Sequence, residues 1–174
     1  YTIEDNRMQI EKGNIKLSLN ISKGLSIGSL KYQDKEVLGT VDHGFFDDIS
    51  FAADFYSGHS LIEYPGKHKI ADLSQTNWNV FYSEKDELTV QATQNLESVS
   101  FKIEYSILEE KIKVKKKLIL PNRKVGLIKP IIFTFSPNTW NEDGLFYELH
   151  NGGKFIERYD LNCESINNSE SLSQ

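Results

Sequence analysis

The sequence predicts an all-β protein, a large antiparallel β-sandwich with little helix. Three observations predict it. Five segments alternate apolar and polar residues with a period of two, the pattern of a strand with one buried and one wet face. Polar clusters punctuate the chain, "SKG", "YQDK", "SEKDE", "LEEK" and "NEDG", and all of them are turn chemistry. No stretch longer than about ten residues carries the 3.6-residue period of an amphipathic helix.

The strands follow in order. "NIKLSLNI" puts Ile15, Leu17, Leu19 and Ile21 on one face and Lys16, Ser18 and Asn20 on the other. "NWNVFY" gives Trp78, Val80 and Tyr82, and "ELTVQA" gives Leu88, Val90 and Ala92. "SVSFKIEYSIL" alternates Val99, Phe101, Ile103, Tyr105 and Ile107 with Ser100, Lys102, Glu104 and Ser106. "KIKVKKKLIL" gives Ile112, Val114, Leu118 and Leu120, an apolar face interrupted at Lys116. Each reads as a half-buried antiparallel strand. Residues 76 to 136 thus form a meander of strands near ten residues, longer than the usual five or six. That length suits a large sandwich of hairpins better than an immunoglobulin-like module. The cysteine pair and core Trp of the antibody pattern are also missing.

Size and charge narrow the function classes. The chain has 174 residues, enough for one domain with a real core. No internal repeat or low-complexity linker divides it, so 1–174 is read as a single β-sandwich domain or part of a larger protein. Its opening on "YTIEDNR" and its polar close "NNSESLSQ" point to a mature form or an excised piece. The net charge of −5 argues against nucleic acid as a main partner, which needs a basic surface. The run Lys111, Lys113, Lys115, Lys116 and Lys117 reads mostly as the wet face of a strand. No run of about 18 apolar residues is available to span a membrane as a helix. Cys163 is the one cysteine, so neither an internal disulfide nor a Cys-based zinc site is expected. Secreted, periplasmic and cytoplasmic locations all stay open.

Two stretches carry a resemblance. "NIKLSLNISKGLSIGSLKYQDKEVLG" resembles the opening hairpins of galactose-mutarotase-like supersandwich domains, with a strand, a Gly-containing turn, a second strand and a short strand ending in "VLG". "FKIEYSILEEKIKVKKKLILPNRKVGLIKPIIFTFSPNTW" is similar to their long hairpin followed by a Pro-marked strand. The resemblance covers about residues 10 to 150. It implies a role in carbohydrate processing, since such domains occur as aldose epimerases and as sandwich parts of glycoside hydrolases, transferases and polysaccharide lyases. This chain is shorter than a complete supersandwich. The catalytic His and Glu motifs of the epimerases match no position, so no catalytic residue is carried over.

The segment "DHGFFDDISFAADFYSGHSLIEYPG", residues 42 to 66, is denser in chemistry than a connection requires. It holds five aromatic residues from Phe45 to Tyr56, four aspartates and two histidines. Asp42, His43, Asp47 and Asp48 are candidate metal ligands, with Asp54 and His59 nearby. Oxygen-rich loops suit Ca²⁺ and imidazoles suit transition metals, but the spacing fits neither an EF-hand nor HExxH, so no cofactor is assigned. A second reading makes the rings a hydrophobic plug for one end of the sandwich. A third makes the segment a sugar-facing loop in which Asp54, Tyr56, His59 and Glu63 meet a ligand and Gly58 allows close backbone approach.

Another candidate pair lies in "GLFYELHNGG". Phe146, Glu148 and His150 share a strand face, so Glu148 and His150 could do acid/base work on one ligand. The alternative is an ordinary solvated face. Trp140, in the polar loop "SPNTWNEDG", is a candidate stacking ring. Glycosidase chemistry would need two carboxyls about 5 to 9.5 Å apart, with Asp54, Glu63 and Glu148 as candidates. Three functions are consistent with these residues. The first is a carbohydrate-associated sandwich that binds glycan or supports a catalytic domain of the same parent protein. The second is a small mutarotase-like or glycosidase-like enzyme. The third is a structural or adhesion sandwich with no sugar role.

Overall fold

Alternation does lay down the sheets. The computed structural model describes residues 1–40, 56–66, 68–82, 87–135, 145–149 and 156–161. Its first sheet is a five-stranded antiparallel meander in chain order: β1 (Thr2–Glu4), β2 (Arg7–Lys12), β3 (Ile15–Asn20), β4 (Ser26–Tyr32) and β5 (Lys35–Gly39). Between β3 and β4 lies a single 3-10 turn, Ile21–Lys23, and it is the one helical element among the described residues. A second meander is made by β8 (Asn77–Tyr82), β9 (Leu88–Leu96), β10 (Val99–Ile107) and β11 (Ile112–Ile119). A three-stranded sheet joins β6 (His59–Glu63), β7 (Lys69–Ala71) and β12 (Leu127–Ile132), with β6 in the middle. β13 (Leu145–Leu149) and β14 (Glu157–Leu161) pair as a separate hairpin.

The tight turns follow hairpin chemistry. Asp5–Asn6, Gln33–Asp34 and Glu97–Ser98 each have two successive residues at positive φ. That left-handed pair matches the twist of the flanking strands. Asp and Asn tolerate it well; Glu97 and Ser98 do so at a cost.

Two layers enclose the core. Met8, Ile10, Ile15, Leu17, Leu19 and Ile27 of the first sheet, with Leu25 in the turn before β4, pack with Leu88, Val90, Ala92, Ile103, Tyr105 and Ile107 of the second. Farther along, Ile62, Tyr64 and Ile70 of the three-stranded sheet pack with Val99 and Phe101. The inner face of the β8–β11 sheet therefore covers both of the other sheets. Those two are tied edge to edge: Ile27 bridges Ser57, and Leu38 bridges Phe135. All five apolar residues of β10 are buried, as its alternation predicts. Tyr82 departs from expectation at 62% exposed, because it ends an edge strand where the opposite layer no longer covers it.

The glycine at 58 serves a packing contact. It sits at φ 81, and a Cβ there would lie 3.0 Å from the hydroxyl oxygen of Tyr105. The close approach it permits is to Tyr105, whose buried hydroxyl donates 2.8 Å to the Leu25 carbonyl. Gly24 is tighter still. At φ 66, its missing Cβ would fall 1.8 Å from the Asp72 carbonyl oxygen.

Candidate functional site

Lys116 breaks the apolar face of its strand, and the structure shows why. On β11, Ile112, Val114, Lys116 and Leu118 point inward. The Lys116 side chain is only 7% exposed and its ammonium lies 2.7 Å from Asp72 Oδ2. It also donates to Ser60 Oγ at 2.9 Å. Asp72 Oδ1 accepts from the Ser60 backbone N–H at 2.6 Å. The Ser60 hydroxyl has one proton to give, and its shorter partner is the Pro130 carbonyl at 2.8 Å rather than Asp72 Oδ2 at 3.2 Å. One cluster thus ties β6, the chain after β7, β11 and β12 together between the layers. Burial holds the Lys116 pKa below its ordinary value even though Asp72 pulls the other way.

A serine hydroxyl held by a lysine of lowered pKa has the elements of a nucleophile and its base. Here it lacks access. Ser60 is fully buried and Asp72 is 3% exposed. The cluster is therefore a clamp between layers, satisfied internally as a buried ion pair must be.

The opposite face of the same sheet is open and has quite different chemistry. Its register places side chains in rows across four strands. One row runs Asn77, Thr93, Lys102, Lys117, and the next runs Asn79, Gln91, Glu104, Lys115. A third runs Phe81, Thr89, Ser106, Lys113. The first two rows line a groove of about 530 Å³. A second hollow of about 480 Å³ begins at Asn77, Thr93 and Asn95 and continues to Ser74 and Gln75. Neighbouring strands are about 4.8 Å apart and same-face residues about 6.7 Å apart, so the rows form a regular polar lattice. Among the described residues, Asn77, Asn79, Gln91, Lys102, Lys115 and Lys117 make no side-chain hydrogen bond or ion pair. An array of amides and ammoniums without internal partners can donate and accept hydrogen bonds toward a ligand.

Of the candidate site residues singled out in the sequence, Tyr56, His59, Glu63 and Glu148 are among the described residues. Tyr56 and His59 do meet: the His59 ring bonds to the Tyr56 carbonyl oxygen through Nδ1. Both are half-buried. Lys23 lies 5.7 Å from the centre of the Tyr56 ring. His59 sits beside the buried ion pair. Burial lowers its pKa, Lys116 and Lys129 add to that, and the Tyr56 carbonyl and Asp72 oppose it. Removal of His59 would therefore disturb the clamp's surroundings as well as any ligand. Glu63 shares the outer face of β6 with His59 and lies 3.7 Å from Lys69. Glu148 stands on a different sheet, opposite Arg158, whose guanidinium is 3.6 Å from the centre of the Phe146 ring.

Asp42, His43, Asp47, Asp48, Asp54, Trp140 and His150 lie outside the described residues. Among the residues that are described, no three His, Cys, Asp or Glu side chains gather as a metal site would require. No helix among them is long and apolar enough to cross a membrane.

Sequence reading missed the polar lattice. The signal was present, because Asn77, Asn79, Gln91, Thr93 and Asn95 occupy the alternate positions of strands whose apolar positions were recognised. Polar residues at alternate positions do not by themselves distinguish a site from an ordinary wet face. Asp72 and Ser60 gave no local signal, since their partner lies more than forty residues away along the chain. Compared with known proteins, the chain matches no family model, no curated protein and no solved structure.

Proposed function

We propose that this chain is a carbohydrate-associated β-sandwich that binds glycan on the outer face of the β8–β11 sheet without transforming it. The observation that carries the reading is the lattice over the open groove, whose amides and outer lysines make no side-chain bond among the described residues. Amide side chains both donate and accept, which matches the alternating donor and acceptor character of sugar hydroxyls. Phe81, 43% exposed at the corner of the same face, offers an apolar ring to a C–H surface. The described part of the two groove-lining rows holds a single carboxylate, Glu104, whereas glycosidase chemistry ordinarily uses two. Binding is therefore favoured over turnover. Kinship with galactose-mutarotase-like domains is part of the same proposal. It is supported by the hairpin order from β3 to β5, in which "KEVLG" forms β5. A sandwich of this kind would serve as an ancillary module to a catalytic domain of the same parent protein.

The test is a glycan array with the purified chain, followed by titration of the best ligand. The double variant Asn79→Ala/Gln91→Ala should lower affinity about tenfold, the loss of one to two hydrogen bonds. Proton exchange at the anomeric centre of free sugars, watched by NMR, should stay at the uncatalysed rate. Catalysed exchange would replace the binding reading with the enzyme reading. Silence on the array would remove the binding reading.

A further inference from the structure

We infer that the glycan taken by this face is acidic, carrying carboxylate or sulfate groups, and that Lys102, Lys115 and Lys117 are the residues that select it. The inference rests on the glycan-binding reading and adds the charge of the ligand to it. The chain as a whole carries −5, yet the three rows of this face hold four lysines and one glutamate. A basic field gathered on one face of an acidic protein is a focusing device for anions.

Register sharpens the point. Lys102 lies directly opposite Lys117 on the neighbouring strand. Like charges in that position repel and cost the sheet stability. Neither has an ion-pair partner among the described residues. An anion bridging the two ammoniums would turn the repulsion into attraction. Lysines on an exposed edge strand commonly protect against edge-to-edge pairing, a role that Lys113, Lys115 and Lys117 on β11 can fill alongside ligand selection. It does not explain Lys102, which sits on the interior strand β10.

The neighbours of the lysines favour a glycan over a nucleic acid. Single strands are held by aromatic platforms on which bases stack. The rows that line the groove contain no ring; they offer Asn77, Asn79, Gln91 and Thr93 beside the lysines. That mixture suits a chain of hydroxyls bearing intermittent negative charge. The shortage of rings also disfavours neutral sugars, which depend more on stacking for their affinity.

The experiment is a titration of the full chain with three polymers at two salt concentrations. Polygalacturonate supplies carboxylates, chondroitin sulfate supplies sulfates and carboxylates, and carboxyl-reduced polygalacturonate supplies the same backbone without charge. Polygalacturonate or chondroitin sulfate should bind at least tenfold more tightly than the reduced polymer, and should weaken severalfold on raising the salt. Lys102→Gln/Lys117→Gln should abolish most of that preference, Lys102→Gln alone should remove part of it, and Lys111→Gln at the hairpin turn should leave it intact. Equal binding of charged and reduced polymers would overturn the inference and leave the glycan reading standing. Failure of all three to bind would overturn both. A thymidine oligonucleotide binding as tightly as the acidic polymers would reassign the face to polyanions in general and overturn the inference. So would a double variant that keeps its charge preference, which would place the selectivity on other residues.

Discussion

Three consecutive lysines on β11 lead opposite lives. Lys116 points between the layers, where Asp72 and Ser60 accept from its ammonium. Lys115 and Lys117 point outward across a sheet of amides and, among the described residues, meet no counter-charge within ion-pair distance. One residue type, shifted by a single position, is a clamp on one face and a free charge on the other. A strand's period of two assigns the face. The face then decides whether a charge must be matched inside the protein or can be left for something outside it.

The contrast is broken most strongly from the inside. Lys116→Met would leave the buried Asp72 carboxyl without its cation, a change that typically costs about 3–5 kcal/mol. Asp72→Asn alone should be comparably damaging, because it strands the ammonium. The pair Asp72→Asn/Lys116→Met should recover much of the loss, since neither buried charge then remains. Urea denaturation of the three variants and the wild type closes the double-mutant cycle. Simple additivity of the two single losses would show that the ion pair is not the unit described here. Phe101→Ala probes the apolar part of the same interior. Phe101 is 3% exposed within the cluster that joins β10 to the three-stranded sheet, and truncation should cost about 3–5 kcal/mol.

Protonation gives a milder perturbation of the same region. Burial lowers the pKa of His59 in the folded state. As pH falls below the ordinary value of 6.5, the unfolded chain takes up the proton before the folded one does. Stability should therefore decline as pH falls from about 6.5 to the lower folded value, and His59 should contribute no further slope below it. His59→Gln should flatten that part of the stability profile measured by denaturant titration. An unchanged slope would mean that His59 titrates no differently in the fold. Such a result would sever His59 from the electrostatics of the clamp.

The two faces also differ in how far the sequence discloses them. Strand positions and the buried set were plain, because Val99, Phe101, Ile103, Tyr105 and Ile107 repeat a local pattern that only an inward face satisfies. The split of β6, β7 and β12 into a third sheet was not plain. It depends on β12 leaving the meander to pair with a strand 64 positions earlier, a long-range choice with no local mark. Lys116 announced itself by interrupting an apolar face, but its partners did not. The lattice was hidden for another reason. Wet strand faces are polar in any sheet, so Asn79 or Gln91 alone means little. The rows become meaningful only when register sets Asn77 beside Thr93 and Lys102 beside Lys117. Tyr56, His59 and Glu148 attracted notice as dense local chemistry. Yet His59 and Glu148 fall on separate sheets, and density along a chain does not ensure proximity in a fold built from distant pairings.

The smallest expected effect lies on the outer face, and its smallness is the point. Lys115→Gln and Lys117→Gln remove charges that make no ion pair among the described residues, so each should shift stability by less than about 0.5 kcal/mol. The sign should favour the variant at Lys117, where loss of one ammonium relieves the repulsion with Lys102 across the strands. Lys115 faces Glu104 instead, so its removal gives up a weak attraction and should be neutral or slightly destabilising. Thermal melts of the two variants at low salt would read this difference, and it should shrink as salt screens both interactions. A loss of more than 1 kcal/mol at either position would mean that the outer lysines are committed to the fold as Lys116 is. They would then not be free to meet a ligand, and the distinction between the two faces of the sheet would collapse.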